Sequence, residues 1–255
     1  MISEAFAGKD SQVHRVDPRV RLVVVGFFAL VVAVTRDIGA AATALALSCS
    51  LITVARLWGR ALLKRLLLAN GFIFFLWVLL PFSTPGVAVA GWGPVTVTRE
   101  GLSLALLIAL KGNAVILALI GLVATMPTAT LGHALHRLKV SPKLCHLLLF
   151  VVRYIHVIEQ EYLRLRRAMK TRAFRPRTNL HTYRSYGHLL GMLFVRSWDR
   201  AERVHQAMRC RGFKGRFYSL TEFSLTSRDV FFGLVCMILT TTLIIFELWR
   251  RNGHV

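Results

Sequence analysis

The sequence Ala-Met-Lys-Thr-Arg-Ala-Phe at residues 168–174 recurs 39 residues further along the chain, at residues 207–213, as Ala-Met-Arg-Cys-Arg-Gly-Phe. In both copies, the apolar residues before the central arginine follow the spacing of one helix face. Gly212 can adopt the left-handed conformation that closes a helix, and Pro176 stands just after the first copy, where it would stop a helix from continuing. The repeat therefore predicts two helices, each of which ends in a small apolar tip carrying one arginine.

Two interpretations of these tips are open. An arginine in the last turn of a helix complements the helix dipole and needs no partner. Repetition of the whole motif instead favours two equivalent docking surfaces, and we adopt this interpretation. The residues assigned to the docking surfaces are Ala168, Met169, Thr171, Arg172, Ala173 and Phe174 in the first tip, and Ala207, Met208, Cys210, Arg211, Gly212 and Phe213 in the second. Because Ala173 stands where the second copy has Gly212, we expect the two helices to end differently.

The composition indicates a membrane protein. Hydrophobic residues make up 55% of the 255 residues, whereas about 45–50% is typical of soluble domains. The net charge of +21 is uneven, since residues 127–229 contain 20 Lys and Arg against 6 Asp and Glu, a net charge of +14. A basic block between apolar segments is typical of a cytoplasmic region, because Lys- and Arg-rich loops stay on the inner side of the membrane.

The basic block suggests several classes of partner. It can bind anionic membrane lipid or an acidic protein surface. Nucleic acid is the weakest of these candidates and we expect no binding to it, since the arginines lie on apolar-faced helices beside membrane segments and no base-reading fold is visible.

The apolar segments predict an all-α, polytopic membrane protein with about five transmembrane helices, at residues 22–34, 38–55, 66–82, 101–125 and 230–249. We divide the chain into an N-terminal membrane region with four spans (1–125), a basic cytoplasmic coupling-helix region (126–229) and a C-terminal transmembrane helix (230–255). The start of the chain is polar and carries charges of both signs, which predicts no signal peptide and a cytoplasmic N-terminus. Because the first span is short, it should either use Arg19 and Arg21 as flanks that extend to the membrane surface, or itself lie partly buried in protein.

Shorter elements are expected between the spans. Residues 83–99 should form an external loop, with a short strand at 95–98. Within the basic region, residues 133–138 and 143–158 should form amphipathic helices at the inner membrane surface. A further helix should begin at Arg196 and end in the second tip.

Two polar residues interrupt the middle of the fourth span, Lys111 and Asn113. A lysine at the centre of a transmembrane helix costs roughly 2.5–3.5 kcal/mol, so it should face protein or a polar cavity. The two residues could contact a substrate or another subunit inside the membrane, or they could form structural hydrogen bonds to a neighbouring helix. The sequence leaves both possibilities open.

The motifs of an enzyme or a metal site are not found in this sequence. The glycines do not form a phosphate-binding loop, so we expect no ATP hydrolysis by this chain. The four cysteines form no CxxC pair, and His133 and His136 have helical spacing but no carboxylate or cysteine beside them. No Ser/His/Asp arrangement is recognisable either. We therefore expect a non-catalytic chain that binds no cofactor and no metal.

A membrane protein without its own energy source, but with two matched tips, needs a partner with two equivalent sites. The simplest hypothesis is a transporter subunit that docks onto a dimeric cytoplasmic ATPase, one tip to each ATPase subunit. Met169 and Met208 would supply adaptable apolar contacts, and Arg172 and Arg211 would each pair with a carboxylate. The competing hypotheses are a membrane scaffold whose basic region binds anionic lipid or acidic protein, and a membrane enzyme such as a lipid transferase.

At these residues, the sequence resembles the transmembrane coupling component of energy-coupling factor (ECF) ABC importers, in particular the cobalt/nickel branch (CbiQ/NikQ-like). That family carries an Ala-Arg-Gly signature at the end of each coupling helix. Here the signatures read Thr171-Arg172-Ala173 and Cys210-Arg211-Gly212, so both arginines are kept, whereas the leading alanines and the first glycine are not. Further resemblance lies in the sequence segments 17–20, 153–155 with Glu161, and 196–215, of which the last is the most specific.

The resemblance implies a complex with two cytoplasmic ABC ATPase subunits, which bind ATP and Mg, and a small membrane subunit that binds the substrate. It also implies that this second subunit supplies the ligands for cobalt or nickel. The expected location is the plasma membrane of a bacterium or archaeon (the inner membrane where there are two), with import serving cobalamin biosynthesis or nickel enzymes. The alternative within the same family is a coupling component that energises vitamin uptake.

Overall fold

The structure, a computed structural model, describes residues 16–85, 87–92, 95–214 and 225–252. Within these ranges the chain forms eight α-helices and a two-stranded ribbon: α1 (Pro18–Val34), α2 (Ile38–Val54), α3 (Arg60–Ser83), β1 (Ala88–Trp92), β2 (Val95–Thr98), α4 (Arg99–Leu122), α5 (Thr128–Arg137), α6 (Pro142–Thr171), α7 (Leu180–Cys210) and α8 (Ser227–Asn252). The predicted all-α membrane fold is confirmed. The start of the chain up to residue 15, and Gly215 at the end of the 196–215 segment, lie outside the described residues.

The described residues divide into two compact units. One lies within Leu135–Glu222 and contains α6 and α7, and the other combines Ile2–Ala134 with Phe223–Val255. The three regions drawn from the sequence, 1–125, 126–229 and 230–255, remain a prediction.

The larger unit is built from apolar helices around α4. This helix packs against α1, α2 and α3, and α8 packs against α1 and α2. Among the described residues, three helical segments are long and apolar enough to cross a membrane, Arg60–Ser83, Arg99–Leu122 and Ser227–Glu247, and α2 is a shorter apolar helix. Leu68 is 83% exposed and Phe74 is 70% exposed on α3. Such a face is stable against lipid, so the chain is a multi-pass membrane protein.

The first helix begins earlier than its apolar segment. Asp17 caps α1 by accepting a hydrogen bond from the backbone N–H of Arg19 at 2.8 Å, and Pro18 occupies the first turn. Arg21 is only 3% exposed, and its Nη1 donates to Oγ1 of Thr125 at 3.0 Å. Arg21 and one apolar face of α1 are thus buried in protein, which is the second alternative expected for the short first span.

Asp229 joins the starts of α1 and α8. Its Oδ1 accepts a hydrogen bond from the backbone N–H of Asp17 at 3.1 Å, and its Oδ2 accepts one from the backbone N–H of Thr226 at 2.9 Å. Both carboxylates are nearly buried, so these bonds replace the water that the charged groups would otherwise need.

The polar residues at the centre of α4 bond to neighbouring helices. Nζ of Lys111 donates to the carbonyl oxygen of Ala33 at 3.1 Å. Asn113 and Asn70 exchange two amide hydrogen bonds of 2.8 and 2.9 Å, which join α4 to α3. The structural interpretation therefore has direct support, and a substrate or subunit contact by Lys111 and Asn113 remains a prediction.

The loop between α3 and α4 contains the predicted strand. Residues 95–98 form β2, which pairs antiparallel with β1. Thr98 ends the strand and caps α4, since its Oγ1 accepts a hydrogen bond from the backbone N–H of Gly101 at 3.3 Å.

The smaller unit differs from the prediction in the length of its helices. The helix expected at 143–158 is part of α6, which has 30 residues, and the helix expected to begin at Arg196 begins at Leu180 and has 31 residues. Asn179 fixes this earlier start, because its Oδ1 accepts a hydrogen bond from the backbone N–H of Thr182 at 2.9 Å. Polar residues such as Arg153 in α6 and Arg184 in α7 are exposed, and they interrupt the apolar pattern without breaking the helix.

Candidate functional site

The first tip is formed by the end of α6. The backbone N–H of Ala173 donates to the carbonyl oxygen of Lys170 at 3.0 Å, and that of Phe174 donates to the carbonyl oxygen of Met169 at 3.1 Å. This pair of bonds is a Schellman motif, which satisfies carbonyls that a helix end otherwise leaves unpaired. Arg172 is the last residue before the chain turns, and Ala173 turns it with a φ of 58°.

The second tip has the same construction. The backbone N–H of Gly212 donates to the carbonyl oxygen of Arg209 at 3.0 Å, and that of Phe213 donates to Met208 at 3.0 Å. Gly212 has a φ of 80°, in the same left-handed region as Ala173. The expectation that the two helices end differently is therefore wrong. Ala173 adopts the glycine-like conformation in spite of its Cβ, at a cost of roughly 1–2 kcal/mol.

The two tips also match in exposure, residue by residue. The methionine and the phenylalanine of each tip are half-buried, and the alanine, the residue before the arginine, the arginine and the turning residue are exposed. Thr171 in the first tip donates its hydroxyl to the carbonyl oxygen of Ala168 at 2.9 Å, and Cys210 takes its place in the second. Each tip thus presents an arginine to solvent beside a small residue and a partly covered methionine.

The structure separates the two tips instead of bringing them together. Phe174 packs against the first part of α7, with ring centroids 6.3 Å from His181 and 5.9 Å from Tyr186. The second tip lies at the other end of the same helix, 22 residues beyond Tyr186 at Met208. At 1.5 Å of rise per residue, roughly 33 Å of α7 separates the tips. Lys111 and Asn113 belong to the other compact unit.

The carboxylate of Glu161 joins α6 to α7 between the tips. Glu161 on α6 accepts a hydrogen bond from Nη1 of Arg196 on α7 and a longer one, 3.3 Å, from Nη1 of Arg164. The hydrogen bond from Arg196 holds the pKa of Glu161 below its usual value. Desolvation acts in the opposite direction but less strongly than this bond, and the charges of Arg196, Arg164 and Arg200 each lower the pKa by a smaller amount. A small apolar cavity of about 220 Å³ beside this bridge is lined by both helices.

Sequence reasoning missed this bridge, although it noted both residues. Glu161 and Arg196 are 35 positions apart, so no helical periodicity relates them. One signal was available: Glu161 is the only Asp or Glu between residues 160 and 198, in a segment rich in arginine. An isolated carboxylate among many cationic side chains is expected to form an ion pair with one of them.

No metal centre is visible among the described residues, where no group of three or more His, Cys, Asp and Glu side chains could hold an ion. The rings of His136 and His146 come within 6.1 Å of each other, but two imidazoles do not make a structural metal site.

Comparison with known proteins connects these features to a transport family. The family of cobalt transport proteins named CbiQ matches residues 9–223, a range that includes both tips. The nickel permease LarQ of Lactiplantibacillus plantarum is 30% identical over 159 residues, which is 62% of this chain and 54% of that protein.

Two uncharacterized proteins of Methanocaldococcus jannaschii also match. One is 28% identical over 123 residues, 48% of this chain and 45% of that protein, and the other is 24% identical over 173 residues, 67% of this chain and 59% of that protein. The chain thus spans about half the length of the curated relatives that it matches.

The cost of the left-handed residue predicts opposite effects of two substitutions at equivalent positions. Ala173→Gly should raise the free energy of unfolding by about 0.5–1 kcal/mol, because glycine adopts positive φ without strain. Gly212→Ala should lower it by about 1 kcal/mol, since the added Cβ meets no atom within 4 Å and only the backbone conformation opposes it. Unfolding of the purified chain in mild detergent measures both. Ala201→Gly, in the exposed middle of α7, is the control and should be destabilising; an equal loss in Ala173→Gly would contradict the strain argument.

The lowered pKa of Glu161 predicts a pH-dependent contribution to stability. The ionised carboxylate stabilises the folded chain fully above the usual pKa near 4.5, and this contribution is lost as the pH falls through the lower pKa of the folded state. Glu161→Gln should therefore reduce the unfolding temperature above about pH 5, and the difference from wild type should shrink toward pH 3. Glu202→Gln is a control, because Glu202 accepts a hydrogen bond from Gln206 on its own helix. A deficit in Glu161→Gln that is constant with pH would rule out the charged bridge as its cause.

Proposed function

We propose that this chain, which belongs to the CbiQ cobalt transport protein family, is the transmembrane coupling subunit of an ECF-type ABC importer. In this proposal it transmits the ATP-driven motion of a cytoplasmic ATPase dimer to a separate membrane subunit that binds the substrate. The observation that carries the proposal is the pair of helix tips, which share one backbone motif and one pattern of exposure.

Two equal tips suit a partner with two equal sites. Each tip presents an exposed arginine, which can pair with a carboxylate, and a half-buried methionine, which can adapt to an apolar groove. Because roughly 33 Å of helix separates the tips, they would enter two different grooves. A dimer of ATPase subunits offers such a pair of grooves related by its two-fold axis.

The construction of α6 and α7 suits the transmission of force. Schellman motifs hold the last turn of each helix, and the bridge between Glu161 and Arg196 ties the two helices together between the tips. A change in the distance between two docked ATPase subunits would then move α6 and α7 as stiff levers instead of unwinding their ends.

Cobalt or nickel is the substrate that we propose, since the family is described as cobalt transport and one relative is named a nickel permease. The metal ligands would come from the substrate-binding subunit, and ATP and Mg would bind to the ATPase subunits. Vitamin uptake is the alternative within the same class of importer.

The substrate-binding subunit could pack against the exposed apolar face of α7. Tyr183, Leu190, Phe194 and Trp198 follow helical spacing on this face and are all more than 60% exposed. Gly187 and Gly191 share the face, and a Cβ added at either position would meet no atom within 4 Å. Glycines four residues apart between large apolar side chains allow another helix to approach closely.

Reversing the charge of the tip arginines should uncouple the transporter. Arg172→Glu and Arg211→Glu should each reduce transport at least tenfold and remove most of the ATPase that co-purifies with a tagged chain, because each places a negative charge against the proposed carboxylate. Lys170→Glu and Arg209→Glu are matched controls: they occupy equivalent, exposed positions two residues earlier and make the same change of charge. They should reduce ATPase recovery less than threefold.

Equal losses at all four positions would favour the competing function, a membrane scaffold whose exposed charges act together. That function also predicts a loss of binding that depends strongly on salt concentration and only weakly on position.

A bulky residue on the glycine face should separate the two partners. Gly191→Leu should remove the substrate-binding subunit from the purified complex and abolish uptake, while both ATPase subunits stay bound. The folded chain itself should not be destabilised, since the site is open and leucine favours helix over glycine. Asp199→Leu, at an exposed position on another side of the same helix, should leave both partners bound. Retention of the membrane subunit by Gly191→Leu would place its docking surface elsewhere.

A further inference from the structure

A large open cavity shares part of its wall with the first tip. The cavity has a volume of about 880 Å³ and lies between the end of α6 and the first half of α7. Pockets for small organic ligands usually have volumes of about 300–1,000 Å³, so this one has room for a ligand larger than an ion.

Half of the cavity wall is polar and strongly basic. Its cationic and imidazole side chains are Arg172, Arg175, Arg177, His181, His188 and Arg196. Arg196 is held by Glu161, but no Asp or Glu lines the cavity itself. Residues 162–198 contain nine Lys and Arg and no Asp or Glu, so the surrounding sequence supplies no carboxylate to neutralise this wall. A concave site with charges of one sign concentrates ligands of the opposite sign.

The other half of the wall is apolar. Leu165, Met169 and Phe174 line it from α6 and the following turn, and Leu189 and Met192 line it from α7. Leu189 is only 5% exposed, so the apolar wall reaches into the interior of the unit. A free phosphate ion would leave this half of the cavity without a partner. An amphiphile would fill both halves.

We propose that this cavity binds one anionic phospholipid, with its phosphate among Arg175, Arg177 and His188 and the upper part of its acyl chains against Met169, Leu189 and Met192. Such lipid is abundant around a multi-pass membrane protein, and its headgroup attracts clustered arginines. The lipid would also stabilise the packing of the first tip against α7, because Met169 and Phe174 of that tip belong to the cavity wall.

The test titrates the purified full chain in maltoside detergent with short-chain dioctanoyl phosphatidylglycerol and counts bound lipids by native mass spectrometry. Dioctanoyl phosphatidylcholine tests the requirement for negative charge, and glycerol 3-phosphate tests the requirement for acyl chains. One molecule of phosphatidylglycerol should bind at least tenfold more tightly than either of the other two.

Two double variants locate the site. Arg175→Gln with Arg177→Gln should weaken phosphatidylglycerol binding about thirtyfold, and Arg175→Gln alone about fivefold, as expected for arginines beside an anionic lipid surface. Arg166→Gln with Arg167→Gln removes the same charge from exposed positions of α6 that do not line the cavity, and should weaken binding less than threefold. The unfolding temperature of each variant is measured in parallel, and the single variant serves if the double variant unfolds early.

Three results would overturn the proposal. Equal loss in both double variants would mean that charge binds lipid diffusely, without a site. Glycerol 3-phosphate binding as tightly as phosphatidylglycerol would identify a soluble phosphate as the ligand. Binding of a hexaglutamate peptide that requires Arg175 and Arg177, without binding of phosphatidylglycerol, would identify an acidic protein segment. Because the assay contains neither ATPase nor substrate-binding subunit, its outcome is independent of the coupling proposal.

Discussion

The closure of the two helix ends is the constraint on which the rest of the basic unit depends. A helix that stops in solvent leaves carbonyl groups unpaired, and its last turn frays unless other donors satisfy them. In α6 and α7, the two residues after the arginine turn back and donate to these carbonyls, at 3.0–3.1 Å in the first copy and 3.0 Å in the second. The arginine therefore always comes directly before the turn, where its side chain is exposed and its backbone is fixed. Ala173 adopts the same turn with a positive φ, so the first tip retains this geometry even without a glycine.

In the larger unit, the main constraint is the placement of polar groups among apolar helices. Arg21, Lys111 and Asn113 all lie in helices rich in aliphatic residues, and each donates to an acceptor on a different helix or loop. In an apolar environment, such bonds are costly to break because no water replaces the lost partner. The polar residues of this unit thus fix the relative positions of helices. The arginines of the tips have no such task, because they lie at exposed ends.

Local patterns predicted the tips, whereas contacts over long distances in sequence could not be predicted. The helix ends could be predicted because their signals are local. The repeated motif, Gly212 and Pro176 all lie close in sequence to the turns that end the helices. The start of α7 was missed because the helix passes from a polar stretch at 181–188 to an apolar one at 189–195, while the cap that starts it is the single side chain of Asn179. The hydrogen bonds between Asn70 and Asn113 join positions 43 residues apart. Neutral residues at many positions of α3 or α4 would give the same apolar pattern, so the pattern does not reveal which two residues pair. Such pairs are determined by which helices pack together, and that is a property of the fold.

The distribution of acidic residues explains how one basic unit can present several separate cationic surfaces. If carboxylates were spread through residues 162–198, each arginine there could form a pair within its own helix, as Arg164 does with Glu161 three residues earlier. Instead, Glu161 is placed where α6 meets α7 and is occupied by Arg196 and Arg164. Glu161 bridges the two helices, and the tip arginines have no Asp or Glu on the neighbouring helical turns. The scarcity of acidic residues thus has two consequences: Glu161 bridges the two helices, and the arginines of the tips form no ion pair among the described residues.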